Sequence, residues 1–131
     1  MTDFESRVTV NKPVGEVYSF LADLNNHQQL MPENIYNWTS TADEARFTIQ
    51  NMAKLVLKVN NRVENKEISI VPAEAAPFDL ELKWVLEDNG TTTTAVYKIA
   101  ADLNMMMKML VSGPLQKLAD SETTSLAQIL S

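Results

Sequence analysis

A chain of 131 residues, 45% hydrophobic and 21% charged, has the size and composition of one domain around one core, which excludes a disordered tail and a collagen-like repeat. The net charge of -6, with no cluster of more than two Lys or Arg, removes the counterion-release affinity on which nucleic-acid binding depends, so DNA and RNA are not expected partners. There is no cysteine, which excludes disulfides, thiolate metal sites and a Cys nucleophile and fits a reducing compartment.

The opening residues, Met1 to Glu5, lack the basic and apolar regions of a signal peptide. No apolar run approaches the ~20 residues of a membrane span. The expectation is a cytoplasmic protein with no integral membrane association, forming a single domain over residues 1–131.

Phe4 to Val10 alternates Phe4, Ser6, Val8 and Val10 against Glu5, Arg7 and Thr9, the period of two that marks a half-buried strand. Then the period changes. Asn11 is a candidate helix cap with Pro13 near the first turn, and Val14, Val17, Tyr18, Leu21 and Leu24 recur at helical spacing. The stretch from Asn25 to Met31 predicts one or two further helical turns, stopped by Pro32.

From Ile35 to Leu103 the sequence predicts six strands: Ile35 to Thr41, Glu44 to Ile49, Leu55 to Glu64, Glu67 to Val71, Phe78 to Glu87, and Thr91 to Leu103. Turn-forming residues separate them, including Asp43, Asn65, Pro72, Pro77 and Gly90. No gap is long enough for a crossover helix, so the sheet is expected to be antiparallel. Its inner face carries Ala45, Phe47, Ile49, Leu55, Leu57, Ile68 and Ile70, then Phe78, Leu80, Leu82, Trp84 and Leu86, then Ala95, Tyr97, Ile99 and Ala101. Its outer face carries charged residues such as Arg46, Lys58, Glu81 and Lys83.

After Leu103 the helical period returns, with Met107, Leu110, Val111, Leu115, Leu118, Leu126 and Ile129 on one stripe and Asn104 as the cap. A helix of about 27 residues, roughly 40 Å long, is expected to cross the whole sheet. Pro114 is expected to kink it rather than split it.

Strand, broken helix pair, six more strands and a long C-terminal helix: this order resembles the START-like superfamily, the helix-grip or SRPBCC group of birch-pollen-allergen-like proteins, and in particular its small uncharacterised bacterial members. The resemblance is carried by NKPVGEVYSFLADLNNHQQLMP (Asn11 to Pro32) and by ADLNMMMKMLVSGPLQKLAD (Ala101 to Asp120). It implies an α+β helix-grip fold, in which a curved antiparallel sheet of about seven strands wraps a long C-terminal helix. No catalytic residue transfers with it, because these blocks pack helices and carry no reaction signature.

The residues themselves offer several sites. His27 is the only histidine; without partners in ligand spacing it is read as solvated or capping, and no metal or cofactor is expected. Met107 lies on the inward stripe of the last helix and Met106 at its edge, where soft thioethers suit either core filling or an adaptable pocket wall. Glu122 breaks the apolar stripe between Leu118 and Ile129; it is expected to sit past the core in water, although burial would make it an acid/base group. Tyr36 and Trp38 are read as sharing one face of their strand.

The expected function is non-catalytic binding or transport of a small hydrophobic molecule (a lipid, quinone or polyketide-like compound) between the sheet and the last helix. Leu57, Phe78, Leu80, Trp84, Tyr97, Met106, Met107 and Leu110 are the candidate lining residues. One alternative is a cyclase or dehydratase with Tyr97 or Glu122 as the acid/base group. Another is a protein-interaction module resembling the chaperone activators of the superfamily, with a filled core and an exposed apolar patch near Trp38.

Overall fold

The computed structural model describes residues 1–131. Seven strands, β1 (Thr2–Val10), β2 (Ile35–Ser40), β3 (Glu44–Ile49), β4 (Ala53–Val63), β5 (Glu67–Pro72), β6 (Leu80–Asp88) and β7 (Thr93–Ala101), form one sheet in the order β1-β7-β6-β5-β4-β3-β2. Every pairing is antiparallel. Two short helices, α1 (Val14–Leu21) and a 3₁₀ helix (Leu24–Leu30), follow β1, and the long helix α2 (Met105–Ile129) closes the chain. This is the α+β helix-grip architecture, with the sheet curled around α2. No helix is long and apolar enough to cross a membrane.

Alternation decides which way the sheet faces. The inner residues of β3 to β7 are buried, and together with Leu21, Leu24 and Leu30 they form one apolar cluster. In β6 the burial follows the pleat on alternate residues from Leu80 to Leu86. The opposite positions carry Lys83, Glu81 and Glu67, whose side chains meet on the outer face at 3.9 to 4.0 Å.

α2 is one element that runs through Pro114. The carbonyl that Pro114 leaves without its usual donor is that of Leu110, an exposed residue, so water can serve it and the helix continues. Asn104 caps the helix, its Oδ1 accepting from the Met107 N–H at 2.9 Å. The start of α1 differs from expectation: Pro13, not Asn11, holds the cap position, and no side chain bonds the free N–H groups.

Buried positions on α2 begin at Val111 and continue through Leu115, Leu118, Ala119, Glu122, Thr123 and Leu126. The turns before Val111 project beyond this contact. Met105, Met106, Met109 and Leu110 are therefore exposed, Met106 by 72% and Leu110 by 69%. This corrects the assignment of Met106 and Leu110 to a pocket wall and puts the exposed apolar patch on α2 rather than near Trp38.

Candidate functional site

Between the sheet, the 3₁₀ helix and α2 lies a small, partly open cavity of about 20 Å³, room for one water-sized group. α2 contributes Leu118 and Glu122, the 3₁₀ helix Leu24 and His27 with Met31 just after it, and β7 contributes Tyr97. The remaining wall is apolar: Trp38 and Phe47, Ala45 and Leu57, Ile70 and Leu82. Larger concavities, among them one of about 370 Å³ lined by Asp3, Glu5, Glu81, Lys83 and Lys98, lie open on the surface among charges of both signs. Open to solvent and edged by charges, they bury an apolar molecule poorly, so the small cavity under α2 is the stronger site despite its size.

Glu122 is held inside because its helix is clamped to the sheet on either side. The Ser6 and Thr123 hydroxyls share a hydrogen bond of 2.6 Å, and the Gln116 amide donates to the Glu5 carbonyl at 3.2 Å, both tying α2 to β1. With Leu115, Leu118 and Leu126 on the same stripe, the next position inward is Glu122, 1% exposed. Neither of its carboxyl oxygens has a hydrogen-bond partner. Desolvation raises its pKa to about 8, and the nearby Tyr97 hydroxyl pulls it down only in part. The Tyr97 hydroxyl therefore acts on the carboxyl, too weakly to satisfy either oxygen.

Tyr97 is fixed by its cross-strand partner. It lies opposite Trp84 in the β6–β7 register, and the two rings stack at 4.5 Å between centroids. Burial first, and Glu122 second, push the Tyr97 pKa up. Trp84 Nε1 is likewise buried without a partner.

The 3₁₀ helix forms the lid. Asp23 caps it by accepting from the Asn25 N–H at 3.0 Å, and the Asn26 amide donates to the Phe20 carbonyl at 3.0 Å. His27 Nε2 donates to the Leu21 carbonyl at 2.8 Å, which makes Nε2 the protonated nitrogen of the neutral ring. Burial drives the His27 pKa down to about 4, against smaller upward pulls from that carbonyl and from Asp23. Arg62 on β4 latches the segment: Nε and Nη2 donate to the Ala22 carbonyl at 3.0 and 2.7 Å, and Nη2 also reaches the Ala42 carbonyl and Asp43.

Of the residues expected to line a pocket, Leu57 and Tyr97 do so. Phe78, Leu80 and Trp84 are buried in the core without facing the cavity, and Met107 is half-buried against that core. Glu122, read as solvated, and His27, read as solvated or capping, are buried in the wall, because each falls on a stripe whose neighbours pack inward; His27 does cap, bonding the carbonyl of Leu21 at the end of α1. Trp38 is the third difference. Tyr36 pairs with Thr48 and Thr39 with Arg46, so Asn37 and Trp38 together oppose one residue. That bulge, with Asn37 at φ 57°, reverses the pleat. Tyr36 faces solvent, 47% exposed, while Trp38 stacks on Phe47 at 5.1 Å. The Trp38 indole N–H donates to Ser40, whose hydroxyl donates to Asn25 of the lid.

No protein-family model matches the sequence. A comparison with curated proteins also finds no match. Solved structures do match across nearly the whole chain. TTHA0849 from Thermus thermophilus superposes with a TM-score of 0.78 at 15% identity, covering 98% of this chain and 97% of its own. XoxI from Bacillus cereus gives a TM-score of 0.79 at 8% identity, with 99% and 96% covered. A START superfamily protein from Mycobacterium smegmatis gives 0.70 at 16% identity, with 98% and 96% covered. At such identities the likeness is one of fold.

Proposed function

We propose that this protein, whose fold is the START-like helix grip, acts as a single domain that binds a small, mainly apolar molecule between its sheet and α2 without transforming it. The observation that carries the reading is Glu122, a buried carboxyl with both oxygens unpartnered, in the wall of an otherwise apolar cavity at the centre of the grip. A buried polar group left unsatisfied costs about 1–3 kcal/mol, a cost that a ligand atom can offset.

A cavity of about 20 Å³ holds no whole ligand, so binding includes outward displacement of the lid. The 3₁₀ helix is the part most open to this, a seven-residue segment held at its ends by a handful of hydrogen bonds. Met31 and Trp38 flank it and can rearrange with it. Hiding ~300 Å² of ligand apolar surface yields at most ~7 kcal/mol before association entropy and lid opening are subtracted, which allows micromolar affinity.

A thermal-shift panel of lipids, quinones and polyketide-like compounds tests the reading. A true ligand at 100 times its dissociation constant stabilises by ~2.7 kcal/mol. Ala45→Leu, which extends a side chain into the cavity, should abolish the shift. A panel with no stabilising compound contradicts the proposal.

A second reading, acid/base catalysis of cyclase or dehydratase type, draws support from Glu122. A pKa pushed to about 8 lets one group give and take a proton near neutral pH. Under this reading Glu122→Gln binds the substrate and fails to turn it over.

A further inference from the structure

Resting on the binding reading above, the chemistry of the cavity wall also selects the kind of ligand. No lysine or arginine lines the cavity: α2 presents Leu118 and Glu122, the lid His27, and β7 Tyr97, while β2 to β6 present only apolar groups. On β1, the Ser6 hydroxyl is bonded to Thr123. A carboxylate ligand would find no cation, and an isolated buried ion is strongly disfavoured. A pure hydrocarbon would leave both oxygens of Glu122 as they are. A protonated carboxyl offers one O–H donor and one acceptor side by side, and the Tyr97 hydroxyl adds another polar group near it.

We propose that the grip selects compact apolar molecules carrying one uncharged oxygen, a hydroxyl or a carbonyl, over their carboxylate and hydrocarbon counterparts, with that oxygen hydrogen-bonded to the Glu122 carboxyl. Burial supports the required charge states. It raises the Glu122 pKa to about 8, so the acid form prevails at neutral pH, and lowers that of His27 to about 4, so the imidazole is uncharged there. The water-sized space beside Glu122 matches one hydroxyl or carbonyl oxygen, with the apolar body displacing the lid.

The test is calorimetric titration at pH 6.5 with three probes that differ at a single substituent: 2-naphthalenemethanol, 2-methylnaphthalene and 2-naphthoate. The alcohol should bind about tenfold or more tightly than either of the others, the scale set by one satisfied hydrogen bond. Glu122→Gln, which keeps a neutral donor and acceptor, should retain that preference. Glu122→Leu, with folding checked by circular dichroism, should bind the alcohol and the hydrocarbon alike. Equal affinity for all three, naphthoate binding as tightly as the alcohol, or a preference that survives in Glu122→Leu overturns the selection while leaving apolar binding intact. Binding of none of the three overturns both.

Discussion

Replacing Glu122 by Gln keeps the shape of the side chain and removes its ability to titrate, so the pair isolates what one buried carboxyl does to stability. The group's pKa is 4.5 in an unperturbed setting and about 8 in the folded protein. Between those values the folded chain holds a proton that the unfolded chain has released, so stability falls as pH rises. At about 1.36 kcal/mol per unit, the full window amounts to about 5 kcal/mol. The upper part is the cleanest to measure, because His27, with an ordinary value of 6.5, contributes little above it. Wild-type protein should lose about 2 kcal/mol between pH 6.5 and 9.5, most of it before pH 8.5. Urea unfolding followed by tryptophan fluorescence at pH 6.5, 7.5, 8.5 and 9.5 gives the curve. Glu122→Gln should lack this slope. Parallel curves for the two proteins would mean that Glu122 is ionised and hydrated in the fold, and the reasoning about the cavity would fail with it.

Other outcomes follow from the same geometry. His27 acts with the opposite sign: its folded pKa of about 4 means stability is lost as pH falls from 6.5, which in wild type offsets the gain from Glu122 down to pH 4.5. Glu122→Gln should expose this loss, about 3 kcal/mol over the His27 window, as a steeper acid denaturation than wild type. Arg62→Ala removes the latch on the Ala22 and Ala42 carbonyls; it should cost about 2 kcal/mol and raise amide exchange across residues 23–31. Met106→Ser and Leu110→Ser should each change stability by less than about 0.5 kcal/mol, since both side chains are exposed, whereas Leu118→Ala should cost about 3 kcal/mol. Urea midpoints compare all four.

The fold was legible because it depends on period. Alternation along β6 and β7, interrupted by Asp88, Asn89 and Gly90, places Trp84 and Tyr97 on one face without any knowledge of their partners. Glu122 shows where that reasoning stops. Its place on the Leu118–Leu126 stripe was visible in the sequence, but whether the helix still meets the sheet there depends on long-range contacts such as Ser6 with Thr123. The Met-rich turns failed for the converse reason, since a helical stripe does not say where its contact with the sheet begins. Trp38 was hidden by a bulge at Asn37, which changes the face of every residue after it. His27 is a tertiary result, buried by a lid whose position depends on Arg62, forty positions away from Ala22.

The central claim is that the grip holds a small apolar molecule. Native mass spectrometry of gently purified protein, with solvent extraction and identification of whatever travels with it, addresses that claim most directly. A reproducible small adduct bearing an uncharged oxygen, absent from Ala45→Leu, is expected. Bare protein mass in every preparation, with no adduct regained on incubation with the extract of the source cells, would contradict it.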